Sequence, residues 1–201
     1  MNRFENGFDS YQKAIVELEN RSENEFKLKA VIINFHHAIE VLFKHILYSK
    51  SKILIYMDMN NWTNAAFDRK IGMKNNQKEN TDYTISFDET VKRVIVVYDE
   101  QIDQYTYNGF LNLNKLRNAL THDEVEIKTE SVEHIVVTLT PIITAILQKH
   151  LTGDEKEKFD AFVTSEKYKK ILQQLIGNNV AWRITTTVSY THLTLPTNSL
   201  V

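Results

Sequence analysis

The residues best suited to chemistry in this chain are crowded into LRNALTH, Leu116 to His122. Arg117 is a fixed cation whose planar fork matches phosphate oxygens, and His122 is the kind of side chain that gains and loses a proton near neutral pH. Asn118, between them, carries an amide that both accepts and donates hydrogen bonds. Together the three suit chemistry on a phosphodiester.

Helical geometry puts them on one side. At about 100° per residue with Arg117 as zero, Phe110, Leu113, Leu116 and Leu120 form a stripe from roughly +20° to −100°, while Asn118 and His122 fall at roughly +100° and +140°. Arg117 therefore borders the buried face, with Asn118 and His122 one turn apart beside it. A plainer account of the same residues stands next to this one. An arginine and a histidine at a helix C-terminus complement the helix dipole, by about 0.3–1 kcal/mol each, and Asp123 and Glu124 offer Arg117 an ion pair.

Arg117-Asn118-x-x-x-His122 resembles the R-N-x-x-x-H form of the R-x(4–6)-H signature of HEPN domains, the all-helical higher eukaryotes and prokaryotes nucleotide-binding domains. The resemblance extends to FHHAIEVLFKHIL, Phe35 to Leu47, which is similar to their long second helix. YTISFDETVKRV, Tyr83 to Val94, is similar to the start of a helix that precedes the motif in many members. The resemblance implies a metal-independent endoribonuclease, acting as a homodimer with its motif helices face to face and needing no cofactor. His122 would be general acid or base while a 2′-hydroxyl attacks its own phosphate, leaving a cyclic phosphate and a 5′-hydroxyl. Arg117 would hold the phosphate oxygens, and Asn118 would orient His122 or the phosphate. The resemblance also points to a toxin or antiphage effector, for which an antitoxin or regulatory partner is the expected protein partner. Two departures stand out: no tyrosine lies two residues after His122, where some toxin branches carry one, and Asp123-Glu124 places acid beside a phosphate site.

The last segment breaks from the rest. VSYTHLTLPT, Val188 to Thr197, carries no charged residue and resembles one reading frame of a sequencing-library adapter. The expected organisation is a helical domain over 1–177, the start of a C-terminal segment over 178–187, and an adapter-derived tail over 188–201. His192 and Pro196 then carry no functional weight.

About 187 residues suit one domain with a core that needs no staples. The absence of cysteine rules out disulfides and thiolate zinc ligation. No uninterrupted apolar run of about 18 residues occurs, and MNRFENGFDS lacks an apolar signal-peptide core, so the sequence reads as cytoplasmic with no membrane partner. Five glycines and two prolines favour long helices over a turn-rich β fold. Twenty-four basic against 26 acidic residues give a formal net charge of −2, which argues against coating nucleic acid but leaves room for a local phosphate grip. Basic residues gather at Arg69, Lys70, Lys74 and Lys78, and at Lys44, His45, Lys50 and Lys52; each group reads most simply as solvated surface.

Positioning the motif requires partner helices. Phe8, Tyr11, Ile15 and Leu18 mark a first helix, and Leu28, Ile32, Phe35, Ile39, Leu42 and Ile46 mark a longer second one. On that helix a second face sets His36, Glu40 and Lys44 one turn apart among Ile33, Phe43 and Leu47. Glu40 can bridge both neighbours, and the face suits a dimer seam or a pocket wall, with these three as supporting residues. Lys50 to Thr84 reads as a long central loop holding at most a short helix near Trp62 to Phe67. Ser86-Phe-Asp-Glu89 has the capping-box pattern and opens a third helix through Phe87, Val91, Val94, Tyr98 and Ile102. YTYNG, Tyr105 to Gly109, reads as the connector into the motif helix. Val132 to Leu151 keeps helical spacing despite its β-branched run, with a kink expected at Pro141. Asp154 to Ile176 reads as one last helix closed by Gly177. The expected fold is an all-α, HEPN-like helical bundle of five or six helices.

Other chemistries find little support. His36, His37, His45, His122, His134 and His150 form no spaced metal set with carboxylates, and neither a nucleophile elbow nor a phosphate-binding loop occurs. Two function classes remain: a HEPN-like ribonuclease, and a non-catalytic HEPN-like module that binds nucleotide, RNA or a protein partner.

Overall fold

The computed structural model describes residues 2–20, 25–72, 84–122 and 128–177. The expected segment 178–187, the tail 188–201, Lys74, Lys78, Asp123 and Glu124 lie outside them. Among the described residues eight α-helices run in order: α1 Arg3–Glu17, α2 Glu25–Lys50, α3 Met59–Lys70, α4 Phe87–Tyr98, α5 Gln104–His122, α6 Thr129–His150, α7 Gly153–Val163 and α8 over 166–177. Short 3-10 turns at Leu18–Asn20 and Lys52–Ile55 complete the described elements, and no strand occurs among the described residues. The all-α class is as expected; the helix count exceeds the expected five or six.

Helix α2 is the axis around which the others gather. All six stripe residues are buried, and so are Val31, Ala38, Phe43 and Leu47 from the rest of its circumference. Helices α1, α4, α5 and α6 pack around it, so a helix read as having one core face is enclosed on several. This explains why α2 and α6 are apolar enough in length and composition to cross a membrane: 61% and 50% of their apolar windows are buried within the fold. They are core helices.

Helix α1 begins in a reciprocal box, with the Glu5 amide donating to Asn2 Oδ1 at 2.8 Å and the Asn2 amide to Glu5 Oε2 at 3.1 Å. At Gly7 the two backbones come so close that a Cβ would sit 2.8 Å from Leu42 Cγ and 3.1 Å from the Leu42 amide nitrogen. Ser86 caps α4 by accepting from the Glu89 amide at 3.4 Å. The helix stops at Tyr98 because Asp99 adopts a left-handed φ of 53°. Ile102, assigned to that helix by spacing, therefore falls in the following connection.

Three boundaries differ from expectation for identifiable reasons. The α5 helix starts before YTYNG, not after it, because Asp103 captures the Thr106 amide at 2.7 Å and initiates helix there. Gly109 is then an interior residue, where a Cβ would lie 3.0 Å from Leu139 Cδ2; it permits close approach of α6. The final helix is two, because Thr164 and Ser165 turn their hydroxyls onto the carbonyls of Asp160 and Phe162, each at 2.7 Å. Ser165 Oγ also accepts from the Tyr168 amide at the start of α8, at 3.3 Å. The central segment holds more helix than expected, Met59–Lys70 instead of a short helix near Trp62 to Phe67. Helix α6 runs unbroken through exposed Pro141.

Candidate functional site

The motif helix α5 buries Phe110, Leu113 and Leu120, with Leu116 packed on the margin of the core. Arg117 is half-buried beside them and Asn118 is exposed, as the helical geometry requires. Arg117 Nη1 donates to Asn118 Oδ1 at 3.0 Å, so the amide steers the guanidinium and not, in this arrangement, the histidine. Among the described residues no carboxylate pairs with Arg117. His122 is the last residue of α5; its side chain lies outside the described residues, as do Asp123 and Glu124.

The second helix reaches this rim through a residue that sequence reasoning missed. Asn114, one turn before Arg117 and Asn118, accepts from His36 Nε2 at 3.0 Å. His36 is 5% exposed, and its ring stacks on Phe87 of α4 at 4.1 Å and 20°. Three helices therefore meet at one imidazole. Burial lowers its pKa; the hydrogen bond to Asn114 and the Glu40 carboxylate oppose that, while the charges of Arg117 and His37 reinforce it. A neutral ring whose Nε2–H points to Asn114 satisfies this environment. The only sequence signal for Asn114 is its angle, roughly +60° on the α5 wheel, between Arg117 and Asn118.

Glu40 does bridge its two neighbours, though unequally. Its Oε1 accepts from Lys44 Nζ at 2.6 Å, while its Oε2 stands 3.9 Å from His36 Nδ1. His36 and Lys44 are both buried, and α4 and α5 cover the His36 end of this face, which closes it as a dimer seam at that point. Lys44 points elsewhere. It donates to Thr84 Oγ1 at 3.1 Å and lines a cavity of about 490 Å³ with Arg3, Asn6, Val41 and Ile55. The supporting set thus divides. His36 belongs to the motif rim, Lys44 to the returning end of the central segment, and Glu40 joins them. Arg93 ties that segment to α4 by donating to the carbonyls of Leu54 and Tyr56 at 2.9 and 3.1 Å.

Among the described residues no three histidines, aspartates or glutamates gather in a metal-binding group. No family model, curated protein or solved structure matches the chain.

Proposed function

We propose that the Arg117-Asn118-x-x-x-His122 rim is the active site of a HEPN-like, metal-independent endoribonuclease. The observation that supports it most is the arrangement at Arg117: a half-buried arginine, its guanidinium steered by Asn118, set on a helix held in roll by the part-buried His36–Asn114 bond. A structural arginine would be expected to end on a carboxylate; among the described residues this one meets an amide and no carboxylate, an arrangement that suits a charge kept for phosphate.

In this reading a base removes the proton of the ribose 2′-hydroxyl, and the oxygen attacks the adjacent phosphorus. The bond from phosphorus to the 5′-oxygen breaks, and that oxygen takes a proton from an acid. One strand ends in a 2′,3′-cyclic phosphate, the other in a 5′-hydroxyl, and no water is consumed. His122 supplies one proton transfer, worth roughly 10²- to 10⁴-fold, and Arg117 holds the charge that grows on the non-bridging oxygens. A homodimer with facing motifs brings a second cation and a second histidine. Action in the cytoplasm as a toxin or antiphage effector, restrained by an antitoxin or regulatory partner, fits such an activity.

The decisive assay incubates mixed cellular RNA with the protein in excess EDTA, alongside folded Arg117→Ala and His122→Ala. Cyclic-phosphate ends that both substitutions abolish are the expected result. Cleavage that survives both places the chemistry elsewhere, and no cleavage by the folded wild type favours the binding module.

A further inference from the structure

Beside the motif, on the flank of α5 that faces α6, lies a groove of about 480 Å³, within the range of small-molecule sites. Its floor is apolar, formed by Leu116 and Ala119 of α5 and by Ile135 of α6, which is 7% exposed. One wall is the His134 ring, held by a 2.8 Å hydrogen bond between its Nε2 and Tyr105 Oη, with the two rings edge to face at 79°. The rim is polar and mixed: Asn112 and Lys115 from α5, Glu130 and Ser131 from α6.

We propose that this groove receives a nucleobase of the RNA whose phosphate lies at Arg117, with His134 as its stacking wall. The proposal rests on the phosphodiester reading of α5. Three properties select a base over other occupants. A flat heteroaromatic ring is matched by an apolar floor beside an imidazole, the kind of surface on which unpaired RNA bases stack. Base edges present donors and acceptors side by side, and the rim offers an amide, a hydroxyl, an ammonium and a carboxylate to meet them. Glu130 disfavours an anion, and the polar rim disfavours a purely apolar chain. Position makes the same selection. Lys115 precedes Asn118 by three residues, a separation of about 5–6 Å between Cβ atoms on a helix surface. Arg117 itself lies across the helix from the groove, but its guanidinium reaches to the Asn118 amide, so one sugar carries the phosphate of a base in the groove to that side of the motif rim.

The test is a chemical-shift titration of ¹⁵N-labelled protein with ribose, ribose 5-phosphate, the four nucleosides and their 3′-monophosphates. At least one nucleoside is expected to bind about tenfold or more tightly than ribose, shifting amides around Ala119 and Ser131. Ala119→Leu, which fills the floor, and Ser131→Leu, which blocks the rim from an exposed position, each remove that preference. Arg117→Ala keeps it and loses only the increment contributed by the 3′-phosphate. Nucleosides that bind no better than ribose overturn the proposal, as does a preference unchanged in both folded leucine variants. Nucleoside binding that both leucines abolish, but that gains nothing from a 3′-phosphate, upholds the base groove while overturning the phosphodiester reading, so the two failures are distinguishable.

Discussion

Arg117 and Asn118 are adjacent in sequence and bonded in space, and that bond makes Asn118 a sensitive position. An aspartate at 118 would meet the guanidinium as an ion pair and add negative charge where phosphate must approach. Asn118→Asp is expected to lower cleavage by about 10- to 100-fold, the loss that removal of one charge-assisted hydrogen bond of roughly 1.5–3 kcal/mol predicts, with Asn118→Ala milder; initial rates on a short RNA measure both. His36 gives a prediction about pH. Folded His36 binds its proton more weakly than the unfolded chain does, so below about 6.5 the unfolded state takes up a proton the folded state refuses. Its contribution to stability is complete above that pH and is lost as the pH falls through the depressed folded value. Wild type should therefore lose stability to urea on acidification more steeply than His36→Gln, by on the order of 1 kcal/mol per unit of pKa depression. Gln is chosen because its amide still donates to Asn114; equal slopes would mean that His36 is not the responsible group. The sequence marked the motif rim because helical angles are local. It could not mark Asn114, whose partner lies 78 residues away on another helix, nor Phe87, which gave only an apolar position and became the stacking face of His36.

The helices were legible wherever one apolar stripe ran long: the six-residue stripe of α2 is buried throughout, and so are Tyr11, Ile15 and Leu18 of the first stripe, with Phe8 only partly so. Misread boundaries share a cause, competition by short polar side chains that periodicity does not weigh. Asp103 starts α5 early, and Thr164 and Ser165 divide the last helix. Gly109, expected in the connector before the motif helix, is instead a point of helix contact, as is Gly7. The two should respond oppositely to a methyl group. In a helix interior alanine is favoured over glycine by about 1 kcal/mol. At Gly7 the added Cβ would meet Leu42 at 2.8 Å on Cγ and 3.1 Å on backbone nitrogen, so α1 must move away. Gly7→Ala is expected to destabilise the fold by about 1–3 kcal/mol, the usual cost of overpacking. At Gly109 the nearest atom is a methyl at the end of the Leu139 side chain, 3.0 Å away, which can rotate aside, and Gly109→Ala should be near neutral. Chemical denaturation of the two variants side by side gives the answer; a neutral Gly7→Ala would show that α1 is free to shift.

For the whole molecule, charge sets how RNA could be held under the proposed function. With 24 basic residues against 26 acidic ones, the surface offers no sustained positive field. Several cations are already occupied within the fold: Lys44 by Glu40, Arg93 by Glu89 and two carbonyls, Lys149 by Glu100. In the proposed ribonuclease the grip on RNA is then local, carried by Arg117 and the neighbouring Lys115 on each copy of the proposed homodimer. This has a quantitative consequence. Binding to a single strand weakens with salt in proportion to the phosphates neutralised, with a slope of about −0.7 per phosphate in log affinity against log salt. Two or three phosphates per site give a slope of about −1.4 to −2.1. Anisotropy titrations of a short labelled RNA with His122→Ala, which retains the cation but not the cleavage, should return that range between 50 and 300 mM salt, a loss of affinity of about 12- to 40-fold across the interval. Adding Arg117→Ala should flatten the slope by about 0.7 for each copy of Arg117 that touches phosphate. A slope steeper than about −5 would demand a broad basic surface that this composition does not supply, and an unchanged slope in the double variant would place the phosphate away from α5.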